Sequence, residues 1–305
     1  MTEAYQVAKH KFTVTSSTQS WERLRWHYEP FACELAEGEE PVLAVSIATG
    51  TIDKDALAGL EAIYTDTAKN PGELTLRVYK QGEEYLFELQ QPYCDVPCGW
   101  LRTSADFTRA SIVLDEENGG VAKWQAEGTI TSSIMLAFML ATSCRLTLMA
   151  HAACVKHDGR AYLFIAKSGT GKSTHAQLWI KHVPGSMLLN DDHPIVRIEQ
   201  GVAYAYGSPW SGKTHCYIAD RAPIGAMVRI DRAPANSIDR LGPVQAYASL
   251  SSSFSGMTWQ RRLADGRHQA LEQLIMSTPC YTLHCRPDQE AAEVCSAEVT
   301  ANHDS

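Results

Sequence analysis

Ala161-Tyr162-Leu163-Phe164-Ile165 runs straight into Ala166-Lys167-Ser168-Gly169-Thr170-Gly171-Lys172-Ser173-Thr174. Five apolar residues in succession predict a central strand covered on both faces. The glycines that follow let backbone N–H groups turn inward around oxyanions. A helix is expected from Lys172 to about Lys181, and its N-terminus adds partial positive charge to the same place. Strand, glycine loop and helix in this order make a phosphate-binding loop. Ser168, Gly169, Thr170, Gly171, Lys172, Ser173 and Thr174 are its candidate nucleotide-binding residues. Lys172 would meet the β- and γ-phosphates, and the Ser173 hydroxyl would ligate Mg²⁺. The expected ligands are therefore ATP and Mg²⁺. Ala166 stands where such loops usually begin with glycine, so the exit from the strand needs a backbone angle that alanine tolerates.

Downstream, Pro184-Gly185 ends the helix and Met187-Leu188-Leu189 predicts another apolar strand. That strand delivers Asn190-Asp191-Asp192-His193 to its end. Adjacent carboxylates repel unless a cation or a shared proton offsets them, and beside a phosphate loop the cation would be Mg²⁺. The plainer alternative is a solvated turn. Gln200-Gly201 predicts the tip of a hairpin. Gly207-Ser208-Pro209-Trp210-Ser211-Gly212-Lys213 predicts a loop whose Lys213 could bring positive charge to an anionic group. Upstream, Leu148 to Val155 reads as one strand. It contains His151, a residue type more often a hydrogen-bonded core group than a catalytic one. A strand is expected around Met227 to Ile230. The last quarter reads as mostly helical, with a strand at Tyr281 to Cys285 and a helix capped by Asp288.

The chain before this region is β-rich. Lys11 to Val14 and Val42 to Ile47 are strand-like runs, and Leu74, Leu76, Val78 and Tyr85, Phe87, Leu89 alternate with polar residues about Gln81-Gly82. Alternation predicts an antiparallel sheet with one wet face. Short helices are expected at Ser20 to His27 and Asp53 to Tyr64. Trp21, Trp26 and Trp100 read as core or edge residues. The greasy segment Ile134 to Ala141 predicts a buried helix too short to span a bilayer. The expected organisation is α+β overall: a β-rich α+β domain over 1–127, then an α/β phosphate-loop domain over 128–305.

Composition narrows the function classes. The 305 residues carry a formal charge of −8, which argues against sequence-independent binding to nucleic acid or to anionic membrane. The polar N-terminus lacks the basic and apolar segments of a signal peptide. Nine cysteines, an odd number without a regular framework, read as reduced thiols in a cytoplasmic protein. Cys94 and Cys98 alone fall short of a zinc set.

The phosphate loop and Asn190-Asp191-Asp192-His193 together resemble the P-loop kinase family of HPr kinase/phosphorylase and phosphoenolpyruvate carboxykinase. The loop is similar to that of the carboxykinases. The acidic segment resembles their Gly-Asp-Asp-Glu-His and the Ala-Asp-Asp of HPr kinases, and His151 precedes the loop strand where HPr kinases carry a histidine near the reacting phosphate. Pro209-Trp210-Ser211-Gly212-Lys213 looks like the uncharacterised HPr-kinase-like proteins of bacteria. The likeness covers roughly residues 148–230, under a third of the chain. It implies a Mg²⁺-dependent kinase moving the γ-phosphoryl group of ATP to a hydroxyl of a small metabolite or a peptide serine. By the resemblance Asp191 is the catalytic base and Asp192, with Ser173, holds metal; His151, Lys172 and Lys213 serve the transferring group. A compact carboxykinase-like lyase and a non-catalytic ATP sensor are the alternatives. The Glu-Ile-Arg-Gly run of HPr kinases is missing, and no arginine- and lysine-rich oxaloacetate site is found. The acceptor and the oligomeric state are not legible.

Overall fold

The computed structural model describes residues 1–50, 59–67, 74–92, 97–115, 123–167, 169–212 and 214–301. The chain forms two compact units, 1–142 and 143–305, each built on its own mixed sheet, with six α-helices among the described residues.

The first unit contains β1 (Thr2–Val7), β2 (His10–Ser16), α1 (Gln19–Leu24), β3 (Ala32–Cys33), β4 (Leu43–Thr49), β5 (Tyr64–Asp66), β6 (Thr75–Gln81), β7 (Glu84–Gln90), β8 (Gly99–Thr103), β9 (Arg109–Leu114) and α2 (Lys123–Thr142). Its nine strands run in the order β3-β1-β2-β4-β9-β8-β7-β6-β5. The sheet is not purely antiparallel, because β4 lies parallel to both β2 and β9. Helix α2 packs against β4, β7, β8 and β9. It therefore belongs to the first unit, although it had been expected to open the second domain: its apolar residues Ile130, Ile134, Ala137 and Phe138 are fully buried, and Phe138 meets Phe12 of β2 edge to face. Trp21 and Trp100 are buried, whereas Trp26 is 47% exposed. The first half of the helix expected over Asp53 to Tyr64, residues 53–58, lies outside the described residues. The part that is described is not helical, and Tyr64 opens β5.

The second unit contains β10 (Thr147–Ala150), β11 (Ala152–His157), β12 (Arg160–Ile165), α3 (Lys172–His182), β13 (Met187–Asp192), β14 (Ile195–Glu199), β15 (Val202–Tyr206), β16 (Arg221–Arg232), β17 (Ser237–Arg240), α4 (Pro243–Leu250), β18 (Phe254–Ser255), α5 (Arg261–Ser277), β19 (Cys280–Cys285) and α6 (Gln289–Ala301). Strand β12 has neighbours on both sides, β11 antiparallel and β16 parallel, and β16 continues parallel to β19. Its alternate residues feed two cores. Ala161, Leu163 and Ile165 pack with Leu271 and Leu274 of α5, while Tyr162 and Phe164 pack with Ala176 and Trp179 of α3 and Cys295 of α6. Helices cover both faces, which explains the unbroken apolar run.

Strand direction gathers the chemistry at one edge. Both β12 and β13 are antiparallel to β11, so they run the same way and end together. Ala152 pairs with Ile165 on one side and with Asp192 on the other. Residue 151 is thus held between the start of the phosphate loop and the carboxylate pair. The expected single strand over 148–155 is broken at that point: β10 pairs with β14 and β18, and β11 with β12 and β13. The His151 N–H leaves the ladder and donates to the carbonyl of Ser253 at 2.7 Å.

Candidate functional site

The phosphate loop has the backbone its glycines allow. Gly169 has φ +74° and Gly171 φ +130°, and a Cβ at either would meet nothing within 4 Å. Glycine is needed at both for backbone angle, and the space over them is open. Gly171 is the N-cap of α3 and supplies no side-chain cap, which keeps a helix N-terminus available to an anion. Ala166 is not in the left-handed region, so its Cβ causes no strain. Arg232, at the end of β16, donates from Nη2 to the Gly169 carbonyl at 2.6 Å and from Nε to the Thr170 carbonyl at 3.0 Å. In a trans peptide the N–H points opposite to the carbonyl, so the Gly171 N–H faces away from Arg232. Sequence reasoning missed Arg232, because a lone arginine ending a strand carries no motif.

Five side chains form two hydrogen-bonded groups at the sheet edge. The Ser173 hydroxyl donates to Asp191 Oδ1 at 2.7 Å, and Asp191 is almost fully buried. Lys172 Nζ lies 2.8 Å from His151 Nε2. His151 Nδ1 lies 3.2 Å from Asp192 Oδ1. Lysine has donors only, so Nε2 accepts and Nδ1 carries the proton that is given to Asp192. The pairing differs from the expectation that joined Ser173 to Asp192: the distances join Ser173 to Asp191, and Asp192 to His151. Consecutive strand residues point to opposite sides, which separates the two carboxylates.

Charge and burial tune these side chains. Burial pushes the Lys172 ammonium below its usual range, and the nearby Asp192 and Asp191 partly offset this. Burial would raise the Asp192 carboxyl, but the hydrogen bond from His151 and the electrostatic interactions with His193, His151 and Lys172 outweigh it, so it lies below the usual range. His193, Nδ1 3.7 Å from Asp192 Oδ2, is lowered by burial. His151, Asp192 and His193 each offer one ligand atom, all within 4.8 Å of one another. This mixed nitrogen and oxygen set would suit a transition metal better than Mg²⁺. The Ser173 and Asp191 oxygens are the donor types Mg²⁺ prefers.

A cavity of about 460 Å³ opens on the other side of the loop. It is lined by Gly169, Thr170, Gly171 and Thr174, with Leu178, Ile230 and Pro287 among its apolar walls and Arg232 and Arg286 contributing cations. Ser168 and Lys213, both expected at the site, lie outside the described residues. The loop leading to Lys213 is described as far as Gly212, which meets the acids: its N–H donates to the Asp191 carbonyl at 2.5 Å, and Ser211 Oγ donates to the same carbonyl at 3.1 Å.

No family model matches the chain, and no curated protein matches it. Among solved structures, the HPr(Ser) kinase/phosphatase from Coxiella burnetii is similar over 51% of this chain and 95% of its own, at 12% identity and a TM-score of 0.31. An overlap at that score assigns neither fold nor function. The chemistry of the site therefore stands on its own residues. Among the described residues no helix is long and apolar enough to cross a membrane, and eight cysteines are free thiols.

Proposed function

We propose that the second unit is a Mg²⁺-dependent kinase that transfers the γ-phosphoryl group of ATP to a hydroxyl. The observation that carries this reading is the direct link between loop and acids, the Ser173 hydroxyl on the Asp191 carboxylate at 2.7 Å. A loop that bound phosphate without chemistry would not need two acids at its mouth. The open cradle over Gly169 and Gly171 fits phosphate, and Ser173 with Asp191 fits the ion. The bound ion would neutralise charge on the β- and γ-phosphates. Ser173 and Asp191 would hold it.

In this reading Lys172 leaves His151 for the phosphate oxygens and offsets their charge. Asp192 accepts the proton of the acceptor hydroxyl as its oxygen bonds to phosphorus, and the bond to the β-phosphate oxygen breaks to release ADP. His151 orients Asp192. The roles of Asp191 and Asp192 are thus exchanged relative to those implied by the family resemblance. The cavity beside Thr174 would receive the base and ribose, with its arginines over the ring. The acceptor is a small metabolite or a peptide serine. Calorimetry with ATP, with and without Mg²⁺, followed by a screen of hydroxyl compounds and serine peptides for ATP-to-ADP turnover, tests the proposal. Absence of Mg²⁺-dependent ATP binding would sink it.

A further inference from the structure

Asn190 is fully buried, one residue before the carboxylate pair, and its amide is used at both ends. Oδ1 accepts from the Asp192 N–H at 3.0 Å and from the His193 N–H at 2.9 Å. Nδ2 donates to Ser208 Oγ at 3.2 Å and to the Trp210 carbonyl at 3.1 Å. One side chain therefore joins the end of β13 to the loop over Gly207 to Gly212. Ser208 Oγ closes the circuit by donating to the His193 carbonyl at 2.7 Å.

The backbone at Asp192 needs such a clamp. Its φ is +150°, an angle that residues bearing a Cβ rarely adopt. Strain of this kind persists only where surrounding bonds over-determine it. Asn190 Oδ1 holds the strained peptide directly, and the docked loop holds it from the other side through the isolated bridge between Asp192 and Ser211. The result is an Asp192 carboxylate aimed at His151 Nδ1. The placement of Asp191 owes less to Asn190, because it rests on pairing with Ala153 and on the Ser173 hydroxyl.

We propose that Asn190 is a positioning residue for the acceptor side of the site: its amide clamps the strained Asp192 peptide to the loop over 207–212 and so sets the Asp192 carboxylate against His151. The inference deepens the kinase reading and rests on it for the meaning of Asp192, while the geometry it concerns is tested without turnover. The side chain is consumed by contacts to backbone and to the Ser208 hydroxyl, so Asn190 touches no reacting atom.

The test uses the full chain labelled with ¹⁵N and reads the ring nitrogens of His151, identified by their loss in His151→Gln. The wild type is expected to show a single tautomer with the proton on Nδ1. Asn190→Ala should release Asp192: Lys172 still keeps the proton on Nδ1, but that nitrogen should lose the resonance of an N–H donated to a carboxylate. Asn190→Ser keeps one short acceptor and should fall between the two; it carries the same test if the alanine variant does not fold. MgATP affinity should stay within about threefold in both, because phosphate and ion meet other residues. Once an acceptor is in hand, turnover should fall ~10²-fold, the scale of an ångström-level misplacement. An Nδ1 resonance unchanged from the wild type in both variants overturns the proposal. A wild type that fails to bind MgATP removes the kinase reading, and the ring signals then still decide whether Asn190 sets Asp192.

Discussion

The Ser173 hydroxyl and the Asp191 carboxylate meet at 2.7 Å across the width of strand β11, which lies between the strand before the loop and the strand bearing the acids. A hydroxyl bonded to an ionised carboxylate is a charge-assisted contact, stronger than a neutral one. It spans two elements that share no ladder bonds. The same two oxygens offer a hard cation two ligands in place of one hydrogen bond.

Lys172 is the first place to test the phosphate end. Its ammonium is nearly buried and already held by His151 at 2.8 Å, so it is preorganised at the loop. Losing a charged hydrogen bond costs ~1.5–3 kcal/mol. Lys172→Ala should therefore weaken ATP binding roughly tenfold to a hundredfold in calorimetry. The fold should persist, because Ala176, Trp179 and the other core residues of α3 are untouched. Affinity equal to wild type would mean that phosphate binds elsewhere.

His175 gives the chain an acid-sensitive point. Only 3% of it is exposed, its ring packs edge-on to Phe164 at 4.7 Å, and neither ring nitrogen has a hydrogen-bond partner. Burial lowers its pKa from 6.5 to about 4. The folded state binds this proton less readily than the unfolded state, so stability is complete above 6.5 and is lost as pH falls toward 4. The full shift corresponds to about 3 kcal/mol. The metal-free chain should melt at lower temperature across that window, and His175→Leu should flatten the profile. An unchanged pH dependence in the leucine variant would assign the acid sensitivity to another group.

Much of this architecture was legible because single segments carry it. Ala161 to Ile165 is apolar at every position since both sheet faces are covered, and the loop glycines announce their backbone angles. Gln200-Gly201 and Asp288 mark their turn and cap by local chemistry alone. The break at His151 was not legible, because residues on either side are equally apolar and partners distant in sequence separate β10 from β11. The mixed first sheet escaped for a similar reason: alternation along a strand says nothing of the direction of its neighbour. The partners of Asp191 and Asp192 depend on the clamp from Asn190 and on the loop around Trp210, neither of which leaves a periodic signal.

Gly207 tests whether that loop is needed. A Cβ there would fall on the backbone carbonyl oxygen of Ile218 and lie 3.1 Å from the carbonyl of Leu189. Both obstacles are backbone, so neither can swing aside. Overpacking of this kind costs about 1–3 kcal/mol. Gly207→Ala should lower the melting temperature and loosen Ser208 and Trp210 from Asn190. Gly201→Ala, at a turn with nothing within 4 Å, is the control: it adds strain at φ +81° without touching the site. Equal effects of the two on turnover would mean that the loop has no special tie to the acids.

The two aspartates divide the labour, and their exchange of roles is the sharpest test. Asp191 is buried against Ser173, where the ion would lie; Asp192 is half-buried beside His151 and His193, where an acceptor would enter. Asp191→Asn keeps size but removes a negative oxygen from the proposed ion site. It should weaken ATP binding in the presence of Mg²⁺ and leave binding without Mg²⁺ nearly unchanged. Asp192→Asn removes a proton acceptor while sparing those oxygens. It should leave MgATP affinity close to wild type and slow transfer by ~10²–10⁴-fold, the usual scale of general-base catalysis. Affinity can be measured at once by calorimetry, before any acceptor is known. If Asp192→Asn abolishes the Mg²⁺ effect and Asp191→Asn does not, the ion belongs with Asp192 and its histidine neighbours. If both variants bind and turn over as the wild type does, the pair is a structural turn and phosphoryl transfer is not its function.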